Sequence, residues 1–423
     1  MIRRFKVTNY KSLKNIEVDL RKLVVIFGPN AAGKSNLFDA LNLFSRLVTK
    51  KNLKEAFEQH RGVPLETVHY AHGGISSLET KEFHDLSFIG DIELSDAVVR
   101  DVESRVRELR RGIDSVDSSS PEKSIITHRL LRYEIDLQVS SRSGQVRVMN
   151  ERLTALRRDG AEKTRSPFIE RGVNGKISLR MEGQSHPTNH DIGLDYSVVS
   201  TSLYAPHYPH ITALREELSR CHFYFLEPRE MMRQGNAIAK VTNIGPRGED
   251  LAAFYFTLKE VHPQQFKAVK LAAMQILPRL RDLEIERTDK AELFLRLCED
   301  DAFYSNRLIS EGTLRVLGLL AVLSPVTGST TIGYEEPENG VHPHRLRNIA
   351  ELLKNAASND RQILINTHSP VLPTYFSDKD LLVCQRTEAG TEFVPFSTIG
   401  SLYRSSDIEQ HLEEEIVRGD FGG

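Results

Sequence analysis

The 423-residue chain has no tryptophan and only three cysteines, and this scarcity narrows the class of protein. Cys221, Cys298 and Cys384 are far apart and odd in number, so the sequence predicts no disulfide framework. They also lack the close spacing that zinc ligands show. We therefore expect a cytoplasmic protein in a reducing compartment.

Long apolar runs and an excess of one charge are missing as well. No apolar run approaches the length of a membrane span, and the N-terminus alternates polar and apolar residues, unlike a signal peptide. The chain carries 56 Lys and Arg against 58 Asp and Glu, a net charge of -2. Nothing in the composition demands nucleic acid or a membrane as partner, and the length suggests two or three lobes.

A glycine-rich loop stands near the N-terminus, between a predicted strand at 23–27 and a predicted helix. It fits the pattern G-x-x-x-x-G-K-[ST], in which backbone N–H groups and a helix N-terminus point at phosphate oxygens. We predict that it binds ATP. Lys34 would contact the β- and γ-phosphates, and the Ser35 hydroxyl would bind Mg²⁺. The predicted binding residues are Gly28, Pro29, Asn30, Ala31, Ala32, Gly33, Lys34, Ser35 and Asn36.

Two adjacent carboxylates follow a predicted strand at 330–334 in the last third of the chain. An acidic residue at a strand end beside the phosphate loop can bind Mg²⁺, and the next carboxylate can deprotonate an attacking water. We predict that Glu335 contributes to the metal site and that Glu336 is the catalytic base.

Two further short segments add candidates. A predicted helix at 345–357 and a predicted strand at 362–366 bring His368 to the sheet edge that carries Glu336, where it would contact the γ-phosphate and the water. Upstream, Ser310 and Gly312 begin an apolar helix and form a small anion site. Taken alone, this Ser-Glu-Gly segment is more often a simple helix cap.

Four motifs follow one another along the chain: the phosphate loop, Ser-Glu-Gly-Thr, Glu-Glu-Pro-Glu-Asn-Gly-Val-His-Pro and Thr-His-Ser-Pro. In this order they resemble the motifs of the ABC-type ATPases of the RecF, SMC and OLD group, in particular the stand-alone prokaryotic AAA-domain ATPases. The matching segments are roughly residues 1–45 and 221–423. The resemblance implies an α/β fold of the P-loop NTPase, ABC-ATPase head type. Its central sheet would be mixed or parallel, with an N-terminal antiparallel β-layer and an inserted α+β region.

The same resemblance implies a head-to-tail homodimer with two ATP molecules between the protomers. Ser310 and Gly312 of one protomer would complete the pocket of the other, and His368 would be the switch histidine. Two departures stand out. The usual magnesium-associated aspartate is Glu335 here, and no glutamine-loop residue emerges, although segment 70–74 lies where such a lid is expected.

We expect three segments along the chain. Residues 1–100 form the N-terminal part of the ATPase lobe, 101–220 an inserted α+β region with a serine-rich break at 115–122, and 221–423 the C-terminal part. The end of the chain, 413–423, is expected to fray. The inserted region carries basic residues that suggest a DNA or RNA contact, although a solvated charged face is the simpler interpretation. They are Arg147, Arg152, Arg157, Arg158, Lys163 and Arg165.

Mg²⁺-dependent ATP hydrolysis that drives dimerisation is therefore the predicted function, in DNA repair or antiphage defence beside a separately encoded nuclease or toxin effector. GTP is disfavoured because no Asn-Lys-x-Asp motif is found. A nuclease within this chain is not predicted, since Asp378 and Asp380 precede an apolar strand. The alternative left open is a nucleotide-sensing scaffold that sequesters a toxin or nuclease with little hydrolysis.

Overall fold

The computed structural model describes most of the chain. The described residues are 1–58, 60–70, 74–111, 124–163, 167–172, 175–182, 187–300, 302–387 and 390–399. The serine-rich segment 115–122, Arg165, residues 71–73 of the lid candidate and the segment 413–423 lie outside them.

Strands and helices alternate along the described chain. The strands are β1 (Ile2–Tyr10), β2 (Leu13–Asp19), β3 (Leu23–Phe27), β4 (Phe83–Glu93), β5 (Leu130–Ser140), β6 (Val146–Ala155), β7 (Ile169–Arg171), β8 (Ile177–Leu179), β9 (Thr188–His190), β10 (Cys221–Tyr224), β11 (Asn236–Ala237), β12 (Leu280–Arg287), β13 (Glu292–Glu299), β14 (Ala302–Ser305), β15 (Thr331–Glu335), β16 (Gln362–Asn366), β17 (Leu381–Thr387) and β18 (Gly390–Pro395). The helices are α1 (Lys34–Thr49), α2 (Leu53–Phe57), α3 (Asp96–Arg111), α4 (Pro209–Ser219), α5 (Leu251–Val261), α6 (Pro263–Ile276), α7 (Glu311–Val322), α8 (Leu346–Ala356) and α9 (Phe396–Ile399).

A six-stranded central sheet, in the order β10-β15-β16-β3-β17-β18, carries the phosphate loop. Neighbours from β10 to β17 run parallel, and β18 is antiparallel to β17. Every residue of β3, β15 and β16 is buried, as expected for parallel strands covered on both faces. The mixed, largely parallel sheet predicted from the sequence is confirmed.

An eight-stranded antiparallel sheet, in the order β2-β1-β4-β5-β6-β7-β8-β9, forms the N-terminal β-layer. Residues of β5 alternate between buried and half-buried, which is typical of a sheet with one face on a core. Because β5 to β9 come from segment 101–220, that segment shares a sheet with β1, β2 and β4. The segment boundaries at 100 and 220 stay a prediction.

The central sheet separates two hydrophobic cores. On β3, Val24 and Ile26 belong to the core shared with α1 and the antiparallel layer. Val25 and Phe27 belong to the other core, which contains apolar residues of α5 to α8 and of the small antiparallel sheet β11-β13-β12, with β14 beside β13. The carboxyl ends of the parallel strands therefore lie between two packed layers, where their loops converge.

Cys221, Cys298 and Cys384 are buried and free. Across the described ranges, none of the helices has the length and apolar character needed to cross a membrane.

Candidate active site

The phosphate loop leaves β3 through backbone conformations that require glycine. Gly28 has a φ of 141° and Gly33 a φ of 116°, values that residues with a Cβ rarely adopt. A Cβ on Gly28 would lie 2.0 Å from the Cys384 carbonyl oxygen, and one on Gly33 would lie 2.6 Å from Oγ1 of Thr391. Strands β17 and β18 therefore form the surface against which the loop turns.

The middle of the loop is open, and both of its ends are anchored. Asn30 and Ala31 are exposed, and Ala31 has a φ of 61°. The carbonyl of Ala32 accepts a hydrogen bond from Thr391 Oγ1 at 2.8 Å. Asn36 Nδ2 donates to Ser12 Oγ at 2.8 Å, which ties the start of α1 to the turn between β1 and β2. The loop is thus held in shape by its contacts with β18 and with the turn between β1 and β2.

Backbone N–H groups at the start of α1 are unpaired. A helix cannot satisfy its first N–H groups internally. Within the part of the chain that the structure describes, the N–H groups of Gly33, Lys34 and Ser35 donate no hydrogen bond. Unpaired N–H groups at a helix N-terminus commonly bind phosphate oxygens, so the loop fits a nucleoside triphosphate.

Lys34 is buried, with 3% of its surface exposed. Its Nζ donates to the carbonyl oxygens of Gly28 and Pro29, each at 2.7 Å. Burial lowers the pKa of Lys34 to about 8, although the carboxylates of Glu336 and Glu338 oppose this shift. A buried ammonium whose acceptors are neutral carbonyls gains strongly from an anionic partner.

Glu335 ends β15 and is 6% exposed. Its Oε1 accepts a hydrogen bond from Arg61 Nη2 at 2.9 Å and its Oε2 one from Asn366 Nδ2 at 3.2 Å. Burial raises the pKa of Glu335, whereas Arg61, Asn366 and the Ser35 side chain oppose this rise. The Ser35 hydroxyl and the Glu335 carboxylate are the oxygen ligands that Mg²⁺ prefers, so these two residues fit the predicted metal site.

Glu336 and His368 meet at the carboxyl edge of the sheet, because β15 and β16 are parallel neighbours. His368 Nε2 lies 3.4 Å from Glu336 Oε1, and both side chains are partly exposed. Glu336 has a φ of 51°. Few residues other than glycine adopt a positive φ, and those that do are concentrated at functional sites. The Asn339 side-chain amide donates to its carboxylate. Burial and the nearby Lys34 lower the pKa of His368, which favours a neutral imidazole.

Ser310 and Gly312 are not joined to the phosphate loop by any hydrogen bond or ion pair between described residues. Ser310 Oγ accepts the N–H of Thr313 at 3.1 Å, so Ser310 is the cap of α7. A Cβ on Gly312 would lie 2.1 Å from the carbonyl oxygen of Gly340, in the loop that follows the carboxylates. The structure therefore brings Gly312 to the acidic loop, whereas the hydrogen bonds of Ser310 stay within the first turn of α7.

A cavity of about 680 Å³ opens beside these groups and contains residues that the sequence motifs do not mark. The guanidinium of Arg61 lies 2.9 Å from Glu335 and 3.6 Å from Asp39, above the ring of Phe225. No motif identifies Arg61, because its partners come from three distant segments. The lining includes Ser35, Asp39, Asn42, His60, Arg61, Phe225, Arg247, Glu249, Glu335 and Glu336.

Two family models match the chain. The one described as "AAA ATPase domain" matches residues 1–139, which contain the phosphate loop. The one described as "AAA domain, putative AbiEii toxin, Type IV TA system" matches residues 215–372, which contain Ser310, both carboxylates and His368. No curated protein matches.

Solved structures of SMC heads are similar to the chain over nearly its whole length. An SMC head bound to the C-winged helix domain of ScpA is 12% identical with a TM-score of 0.50, covering 93% of this chain and 97% of that chain. The SMC head of Thermotoga maritima is 11% identical (TM-score 0.39, coverage 93% and 98%). That of Pyrococcus furiosus, with an extended coiled coil and bound to the C-terminal domain of ScpA, is 12% identical (TM-score 0.45, coverage 95% and 98%).

At this identity the first of these similarities bears on the fold alone, which is the P-loop NTPase fold of an SMC head. The two matched ranges together contain all the predicted site residues. Models of AAA-type ATPase domains thus match two separate parts of the chain, and the fold of the chain is that of an SMC head.

Proposed function

We propose that the chain hydrolyses ATP in a Mg²⁺-dependent reaction, with Glu336 as the base that deprotonates the attacking water. The observation that carries this proposal is the pair of Glu336 and His368, with 3.4 Å between Oε1 and Nε2, at the sheet edge beside the phosphate loop. A carboxylate at this place can take the proton of a water lined up with the γ-phosphate.

The remaining groups of the site have separate roles. Lys34 would exchange its two carbonyl acceptors for the β- and γ-phosphates. The neutral imidazole of His368 would orient the water and the γ-phosphate, while Asn339 holds the carboxylate of Glu336. Ser35 and Glu335 would hold Mg²⁺, which when bound neutralises charge on the phosphate oxygens.

We propose further that two copies pair head to tail, so that Ser310 and Gly312 of one copy bind the γ-phosphate held by the other. Among the described residues, the N–H groups of Glu311 and Gly312 donate no hydrogen bond, and they stand at the start of a twelve-residue helix. This end of α7 attracts anions. Leu308, two residues before the cap, is 76% exposed, which supports a contact surface there.

We propose a separately encoded nuclease or toxin effector as partner, with a cytoplasmic role in DNA repair or antiphage defence. The support is the description of the matched family, which names a toxin of a type IV system. Measurement of phosphate release from ATP separates this enzyme from the alternative, a nucleotide-sensing scaffold. The scaffold would bind ATP with the same residues and release little phosphate.

DNA contact through segment 101–220 is a proposal with narrower support. Arg152 is 3.5 Å from Glu134 and 2.6 Å from Glu162, so its charge is already balanced. Arg157 and Arg158 are exposed and remain the better candidates. Retention of a fluorescent duplex that weakens with salt, and is lost in Arg157→Glu/Arg158→Glu, would support the contact. No retention at low salt would remove it.

A further inference from the structure

We propose that Glu338 is a positioning residue that fixes the switch loop, residues 367–369, where His368 reaches Glu336. The proposal rests on the proposed hydrolysis, because it concerns how the same site is held in its working arrangement. Glu338 lies two residues after Glu336 in the same motif, and the sequence analysis assigns it no role.

One oxygen of Glu338 accepts three hydrogen bonds from consecutive residues. Its Oε1 accepts from Thr367 Oγ1 at 2.6 Å, from the His368 N–H at 3.0 Å and from the Ser369 N–H at 3.1 Å. Burial raises the pKa of Glu338, and the three hydrogen bonds oppose this rise because they stabilise the carboxylate. The carboxylate therefore replaces the strand partner that these N–H groups lose where β16 ends.

The segment that carries Glu338 is also tied to β16 at its other end. The N–H of Glu336 donates to the Asn366 carbonyl at 3.0 Å and to Asn366 Oδ1 at 3.3 Å. Segments 336–338 and 366–369 are thus joined by these two contacts and by the three that enter Glu338. The catalytic carboxylate and the switch histidine belong to one hydrogen-bonded unit.

The second oxygen of Glu338 is the observation that separates this clamp from ordinary packing. Oε2 is buried and has no hydrogen-bond partner among the described residues. A buried oxygen without a partner is costly, so a residue chosen for stability alone would not leave it so. We therefore assign the role of this carboxyl group to Oε1, which accepts the hydrogen bonds of the switch loop.

Hydrogen exchange of the His368 and Ser369 amides tests the clamp without any need for hydrolysis. Glu338→Ala removes the acceptor, so the His368 amide is expected to exchange about tenfold faster or more. The Ser369 amide also donates to Thr367 Oγ1, at 2.9 Å, and should change less. Glu338→Gln keeps one acceptor oxygen, and exchange should stay within about threefold of wild type. The Ile363 and Leu364 amides inside β16 serve as the internal control. Unchanged exchange at 368 and 369 in Glu338→Ala would overturn the clamp.

A milder variant covers the case in which Glu338→Ala fails to fold. Thr367→Val removes one of the three donors and leaves the carboxylate in place. This variant also removes Thr367 Oγ1, an acceptor of the Ser369 N–H at 2.9 Å, so the His368 amide is the readout. Its exchange is expected to increase, by less than in Glu338→Ala. Exchange equal to wild type in a folded Thr367→Val protein would count against the proposal.

Kinetics of a double-mutant cycle then test the link to His368. Glu338→Ala should lower kcat about tenfold or more with little change in the KM for ATP, and Glu338→Gln should restore most of it. Because Glu338 acts through His368, adding Glu338→Ala to His368→Ala should change kcat by no more than about twofold. Losses that multiply would contradict the positioning role. If the wild type releases no phosphate, the proposed function fails, while hydrogen exchange still decides the clamp.

Discussion

Lys34 is the residue whose environment bears most directly on nucleotide binding. Its ammonium is buried, and its only acceptors in the described chain are two neutral carbonyls. The charged form is therefore held at a cost in the free protein, and a phosphate would relieve that cost. The same burial makes the affinity for ATP sensitive to pH.

ATP binding is expected to weaken as pH rises from about 8 to 10.5, because burial lowers the pKa of Lys34 from 10.5 to about 8 in the free protein. Above the lower value the free protein has lost this proton, so binding of ATP must take one up. In the same window the unfolded chain holds a proton that the folded chain lacks, so the contribution of Lys34 to stability rises with pH.

Calorimetry of ATP binding at about pH 9, in two buffers of different ionisation enthalpy, measures this proton uptake. Lys34→Arg is the matched control, since its guanidinium stays charged and should take up no proton. Equal apparent enthalpies for the wild type in both buffers would rule out the lowered pKa.

Among the secondary-structure elements, helix α7 and the loop after the carboxylates pack with no space between their backbones. The Cβ of an alanine at position 312 would lie 2.1 Å from the Gly340 carbonyl oxygen. This contact links the start of α7 to the segment that carries Glu336 and Glu338. A side chain at 312 must therefore displace backbone rather than a flexible side chain.

Gly312→Ala is expected to lower stability by about 1–3 kcal/mol, the usual cost of overpacking a tight contact. Glu311→Ala, at the adjacent position, is the control. It removes an exposed ion pair with Arg229 and an acidic residue of the first turn of α7, without any backbone clash, so its midpoint should shift less than that of Gly312→Ala. Urea unfolding midpoints compare the two variants. Equal midpoints would mean that the loop yields without strain.

Ser310→Arg should leave ATP binding to the free chain intact and abolish dimerisation of this variant with itself, because a long cation would stand at the start of α7 in both composite sites. Mixing this variant with Lys34→Ala gives a sharper test. One of the two composite sites in the mixed dimer then has an intact loop and an intact signature. Turnover should reappear in the mixture although each variant alone is inactive. No recovery would argue against the composite site.

Local patterns were sufficient to predict the elements that carry the motifs. The predicted bounds 23–27 and 362–366 are those of β3 and β16, because buried parallel strands are short apolar runs. The predicted crossover also brought His368 beside Glu336. An α+β region was predicted at 101–220, but the pairing of its strand β5 with β4 was not, since long-range pairing leaves no local signal. Arg61 and the three-fold contact of Glu338 were missed for the same reason.

On the scale of the whole molecule, two cores on opposite faces of one sheet leave the carboxyl edge free for chemistry. The phosphate loop and the start of α7 belong to the same chain. Within the described residues, however, Ser310 and Gly312 have no hydrogen bond or ion pair to the phosphate loop. In the proposed cycle, ATP joins two chains and its hydrolysis separates them. A variant that binds ATP but cannot hydrolyse it must then stay at the mass of the dimer.

The central test is the mass by light scattering, with phosphate release, of the wild type, Glu336→Gln and Lys34→Ala, each with and without ATP and Mg²⁺. Glu336→Gln should lose turnover by about a hundredfold or more and double its mass with ATP, because bound ATP is no longer cleaved. Lys34→Ala should bind no ATP and keep its mass. A mass independent of ATP in Glu336→Gln, with turnover equal to wild type, would contradict the account.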